Sequence, residues 1–181
     1  VIAEFLKNDF HYPEFHDYRE TLSEIVTSPN LDDAGENAKR RALLFVRQFK
    51  LWNEIPSETQ WHEVELHERN FGQIRIFPRA HWLKLARGDF SIAAVTERVR
   101  TRRQIADAPF LKKIASIGER FHLDDGGLGT VILIGVNECT PWTVLDGNHR
   151  LVAAMLAAPT GLPKLRFLCG FSPRMTECCW Y

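Results

Sequence analysis

Residues 143–157 read Thr-Val-Leu-Asp-Gly-Asn-His-Arg-Leu-Val-Ala-Ala-Met-Leu-Ala, and their pattern changes character in the middle. Trp142 to Leu145 is a short strand-like run. A single glycine, Gly147, follows Asp146, and Asn148 to Ala158 is an Ala- and Leu-rich helical run closed by Pro159 and Gly161. A helix that starts straight after a strand presents free backbone N–H groups and the positive end of its dipole, which together make an anion site. Gly147 has no Cβ and lets the backbone come close to a ligand. His149 and Arg150 add side-chain donors, and a guanidinium suits two-point contact with phosphate oxygens. The same residues are also ordinary turn chemistry: Asp146 or Asn148 can cap a helix, and His149 can be a hydrogen-bonded structural histidine.

Working outward, Thr130 to Val136 is an apolar strand expected at the centre of a sheet, after a turn at Asp124-Asp125-Gly126-Gly127. Lys164 to Cys169 is a third strand. Upstream, helical spacing covers Ser91 to Arg103 and Pro109 to Phe121. Pro78 opens a shorter helix, Arg79 to Arg87, ended by Gly88. Alternation over Trp61 to Glu68 and Gln73 to Phe77, with Asn70-Phe71-Gly72 between, predicts a β-hairpin. Before Pro56 the period is helical. Phe15, Tyr18, Leu22, Ile25 and Val26 mark one helix. After Ser28-Pro29-Asn30, a second runs through Ala38, Ala42, Phe45, Val46, Phe49 and Trp52. The expected fold is α/β (α+β): a small mixed sheet with surrounding helices in residues 58–181, and an N-terminal helical hairpin, residues 1–57, packed on it.

The stretch Leu-Asp-Gly-Asn-His-Arg-Leu-Val-Ala-Ala, 145–154, resembles the signature turn of the ParB/sulfiredoxin superfamily: a glycine, basic residues, then an Ala-rich helix after a strand. The resemblance covers roughly Gln73 to Cys169. It implies that Gly147, Asn148, His149 and Arg150 contact phosphate, and that Asp146 holds a metal or positions an acceptor hydroxyl. A carboxylate beside bound phosphate makes physical sense mainly through a Mg²⁺ bridge. The implied ligand is ATP, ADP or CTP with Mg²⁺, and the implied activity is phosphoryl transfer to a small molecule or nucleotide hydrolysis. In that activity Asp146, His149 and Arg150 are the catalytic candidates, with His149 and Arg150 neutralising developing charge. Non-catalytic binding of a nucleotide or phosphometabolite, and ParB-like nucleic-acid processing, are the alternatives. The chain departs from sulfiredoxins in having Asn148 where their catalytic Cys sits, so sulfinic-acid repair is not expected. It departs from ParB partition proteins in having only Leu162 to Tyr181 after the helix, which is too short for a helix-turn-helix reader.

A second anion-friendly start is Ser172-Pro173-Arg174 after the third strand, with Ser172 as cap and Arg174 nearby. His62-Glu63-Val64-Glu65-Leu66-His67 lacks the four-residue histidine spacing of a helical zinc motif, and on a strand its histidines face opposite sides. Arg98, Arg100, Arg102 and Arg103 form the one dense basic cluster and read as a solvated helix face. Glu138, Asp124 and Asp125 are candidate general bases. Trp82, Trp142, Trp180 and Tyr181 read as packing residues.

Composition sets the limits. The chain has 181 residues with 45% hydrophobic content, enough for a real core. Lys+Arg and Asp+Glu balance at 23 each, which argues against a dedicated nucleic-acid binder. No apolar run is long enough to span a membrane. The first residues show no basic region followed by an apolar stretch, and Cys139, Cys169, Cys178 and Cys179 form no disulfide framework. The expectation is a cytoplasmic protein with reduced thiols.

Overall fold

A computed structural model describes residues 1–101, 108–122, 129–157, 162 and 165–181. It divides into two compact units, Val1–Ser57 and Glu58–Tyr181. The second unit is mixed α/β, built on a five-stranded mixed sheet. Its strands are β1 (Gln60–Val64), β2 (Ile74–Ile76), β3 (Thr130–Gly135), β4 (Trp142–Asp146) and β5 (Arg166–Phe171), in the spatial order β1-β5-β3-β4-β2. β3 lies at the centre, parallel to β5 and antiparallel to β4. β4 runs parallel to β2, and β1 is antiparallel to β5. Every residue of β3 is buried, as its unbroken apolar run predicts for an interior strand.

Alternation along the strands selects the core face. Ile74, Ile76, Val131, Leu133, Trp142, Val144, Phe167 and Cys169 belong to one hydrophobic cluster with residues of the helices that follow. Those helices are α5 (Ala80–Ala86), α6 (Ile92–Thr101), α7 (Ala108–His122) and α8 (Asn148–Ala157). α8 buries Leu151, Val152, Ala153 and Ala154, and its alanines let it lie close to its neighbours. Thr96 of α6 donates to the Met155 sulfur of α8 at 3.6 Å. α5 ends as its sequence predicts, with Arg87 and Gly88 both left-handed, at φ 46° and 91°.

The predicted β-hairpin does not form. β1 and β2 sit at opposite edges of the sheet. Between them, Glu68–Gln73 forms a 3₁₀ helix whose capping box joins His67 and Asn70, with Phe71 buried beneath it. Alternation established that each segment was extended, but it carries no information on which strand each would meet. The turn expected at Asp124 to Gly127, the closure of α8 at Pro159 and Gly161, and Lys164 lie outside the described residues.

The first unit is helical: α-helices at Ile2–Asp9, His16–Thr27, Ala34–Leu43 and Phe49–Asn53, with a 3₁₀ turn at Pro13–Phe15. It is not the simple two-helix hairpin that its periodicity predicts. The added helix Ile2–Asp9 buries Ala3, Phe5, Leu6 and Asp9. The second predicted helix breaks after Leu43 and restarts after Gln48, whose φ is 67°. The break leaves Phe45 and Phe49 stacked on each other at 4.1 Å. Phe45 is 69% exposed, so the expected continuous apolar face is interrupted there.

This unit closes around one buried cation. Arg40 is 2% exposed. It donates to the Ile25 and Asn30 carbonyls at 2.9 and 2.7 Å, to Glu36 at 2.8 Å and to Asn37 at 2.8 Å. It thereby joins the end of one helix and the following loop to the next helix. Among the described residues, no helix is long and apolar enough to cross a membrane. Arg40→Ala strands two carbonyls and a carboxylate, and we expect it to destabilise this unit by about 3 kcal/mol in urea unfolding. An unchanged midpoint would show that the buried guanidinium contributes nothing net.

Candidate functional site

β2 and β4 are parallel neighbours, so their C-terminal ends lie side by side. One end continues as Phe77-Pro78-Arg79 into α5, the other as Asp146-Gly147 into α8. Register at the second end slips: Leu133 pairs with Val144, but Ile132 pairs with Asp146. Leu145 is the extra residue, and the bulge takes Asp146 out of the alternation that puts Trp142 and Val144 in the core.

Gly147 is required here on two grounds. Its φ is +97°, and a Cβ would stand 3.1 Å from the Val131 backbone and 3.3 Å from Arg150 Nη2. Its carbonyl accepts the first helical bond, from Leu151 N at 2.9 Å. Arg150 folds back across the turn: Nη2 donates to Asp146 Oδ2 at 2.7 Å and to the Thr130 carbonyl at 3.0 Å. Two polar atoms are buried here without a hydrogen-bond partner among the described residues, Arg150 Nε and Asn148 Oδ1.

His149 points elsewhere. Its ring lies 5.0 Å from Trp82, edge-on, and 5.1 Å from Phe110. Burial, reinforced by Lys113, Arg150 and His81, lowers its pKa from 6.5 to about 4. It is therefore a neutral ring at pH 7. His149 and Arg150, expected together to neutralise developing charge, thus meet different partners here: aromatic rings for the imidazole, Asp146 and the Thr130 carbonyl for the guanidinium.

Arg79 was not singled out by sequence. It is half-buried, with its guanidinium 4.9 Å from the Trp180 ring and 5.6 Å from Phe77. Its guanidinium makes no hydrogen bond or ion pair among the described residues, although its backbone N–H donates to the Phe77 carbonyl at 2.9 Å. Burial pushes its pKa down, and the Asp146 carboxylate partly offsets this. The detectable signal was a short strand followed by Phe-Pro-Arg and a helix, the same strand-to-helix grammar as the main motif.

Ser172 and Arg174 do not join this site. β5 ends beside Gly135, the far end of β3, whereas Asp146 pairs near its beginning. Ser172 does cap as expected: its hydroxyl accepts from Arg174 N at 3.1 Å and donates to Glu58 at 2.9 Å. Arg174 itself is held by Glu177 at 2.8 Å. Glu138 follows β3 at that same far end, which removes it as a base for the motif. Asp124, Asp125, Arg102 and Arg103 lie outside the described residues. Of the remaining basic cluster, Arg98 donates to the Ala86 and Asp89 carbonyls and Arg100 pairs with Glu97.

Glu63 forms a two-point pair with Arg166 at 2.8 Å, and His67 serves as a cap. Among the described residues, no three His, Cys, Asp or Glu side chains gather as a metal site. Asp146 is already paired with Arg150. It could take part in holding Mg²⁺ only where phosphate oxygens and water complete the shell. Cys169 is fully buried, and burial raises its thiol pKa well above the usual range, leaving it unreactive. No known family model, no curated protein and no solved structure matches this chain.

Two measurements check this geometry. Gly147→Ala forces a side chain into left-handed backbone against Val131, and should cost about 2 kcal/mol in unfolding. For His149, the unfolded chain takes up a proton before the folded one does. Stability should then be flat above the ordinary pKa of 6.5 and fall as pH drops from there to about 4, by about 3 kcal/mol in all. His149→Phe should abolish that loss; an unaltered pH profile in the variant would show that the imidazole is not its source.

Proposed function

We propose that the Glu58–Tyr181 unit binds a phosphorylated ligand, of which a nucleotide is the leading candidate, at the adjoining ends of β2 and β4. The observation that carries this is the convergence of Arg79 with the Asp146–Arg150 turn. One half-buried guanidinium has no anionic partner in hydrogen-bond contact among the described residues and feels the Asp146 carboxylate, and the turn at the adjoining strand end carries the first amides of α8 and an orphan donor on Arg150. A cation held in this way favours an incoming anion, because pairing recovers part of what desolvation cost. The likeness of Asp-Gly-Asn-His-Arg to the ParB/sulfiredoxin turn points the same way and is the reason for naming a nucleotide.

In the catalytic form of this reading the ligand is ATP, ADP or CTP with Mg²⁺. Asp146 and the ligand's phosphate oxygens would hold the metal, which would supply charge neutralisation during phosphoryl transfer or hydrolysis. Arg79 and Arg150 would hold the phosphates, and His149 would act only as a neutral wall or donor.

A second reading is a binding module without chemistry. It is favoured by the Asp146–Arg150 pair, which occupies the carboxylate. The two readings differ in turnover: the module binds nucleotide but releases and transfers no phosphate with a panel of hydroxyl substrates.

Isothermal calorimetry with ATP, ADP and CTP, with and without Mg²⁺, tests both. Binding should saturate below millimolar ligand, and Arg79→Ala should weaken it about tenfold or more, the usual loss for a charge-assisted contact. Absence of heat at millimolar ligand with a folded sample rules the proposal out.

A further inference from the structure

Beside the turn that carries Arg79, on the face of β2 and β4 that Arg75 and Thr143 occupy, lies a groove of about 230 Å³. Arg75 of β2 pairs with Thr143 of β4, so both side chains leave the sheet on that face, away from Ile74, Ile76 and Val144. Ile76, Phe77, Pro78, Phe90, Pro141 and Tyr181 complete the lining. Tyr181 is fixed across the groove by its hydroxyl, which donates to the Pro141 carbonyl at 3.1 Å. Its neighbour Trp180 contacts both Phe77, at 5.1 Å, and the Arg79 guanidinium. Trp180 Nε1 is a buried donor without a partner among the described residues.

We propose that this groove holds the planar base of a nucleoside phosphate whose phosphates sit at Arg79 and the Asp146–Arg150 turn. The inference rests on the phosphate-binding reading above and adds the place of the base. Three features favour a flat, weakly polar ring over an alkyl chain or a sugar. Three aromatic residues from three separate segments, Phe77, Phe90 and Tyr181, line it. Every nucleobase has a π-face that such walls can stack on. Thr143 and Arg75 offer only a few polar contacts, which fits orientation of a ring edge. Phe77 is shared: it lines the groove and its ring also lies beneath Arg79, so base and phosphate would meet two residues of one turn, Phe77 and Arg79.

The test separates this groove from the phosphate site. Calorimetry compares inorganic tripolyphosphate with ATP and CTP, using the wild-type chain and the variants Tyr181→Ala, Phe90→Ala and Arg79→Ala. A stacked base is expected to make at least one nucleotide about tenfold tighter than tripolyphosphate. Tyr181→Ala and Phe90→Ala should each erode that advantage while leaving tripolyphosphate unchanged, and Arg79→Ala should weaken all three ligands alike. Two results overturn the groove while leaving the phosphate reading intact: tripolyphosphate binding as tightly as the nucleotides, or the nucleotide advantage surviving in both aromatic variants. If none of the three ligands binds, the phosphate reading falls and the groove proposal falls with it.

Discussion

The Arg150 guanidinium, bonded at once to the Asp146 carboxylate and the Thr130 carbonyl, sets the local order of the second unit. It ties the beginning of β3, the end of β4 and the first turn of α8 across a gap that only a glycine leaves open. A partly buried pair of this kind gains from low dielectric, but only because the charges are matched and hydrogen-bonded. Remove the glycine's left-handed bend and the arginine cannot lie where it does. The bulge at Leu145 serves the same end by turning Asp146 toward the guanidinium rather than into the core.

From that tie follows the electrostatic character of the sheet end. Arg150 takes the hydrogen bond of Asp146, so the neighbouring Arg79 is left with aromatic faces and only the field of that carboxylate. His149, one residue before Arg150 on the helix, is turned into the Trp82 and Phe110 rings and kept neutral. The helix thus divides its first turn between two tasks. Arg150 braces the sheet, His149 anchors α8 to α5 and α7, and a second guanidinium, Arg79, comes from the turn after β2.

The first unit uses the same device in a different setting. Arg40 is buried and satisfied by two backbone carbonyls and two side chains, where an apolar residue would leave those carbonyls unpaired. In both units an arginine closes a turn that hydrophobic contacts alone do not specify.

Local pattern alone determined a good part of this protein. The apolar run of β3, the short strand of β4, the start of α8 at Asn148 and the left-handed exit of α5 were each legible. Their signals (uninterrupted hydrophobicity, a glycine, a proline at a helix start) act within a few residues. The cap at Ser172 was legible for the same reason. Pairing and direction were not. Only the tertiary structure decided that β1 and β2 flank opposite edges, that Ser172 and Asp146 lie at opposite ends of the sheet, that His149 faces aromatic rings, and that Arg79 arrives beside Asp146. Each of these depends on which distant strand or helix a segment meets. That choice is made by burial summed over the whole unit, and no window of sequence contains it.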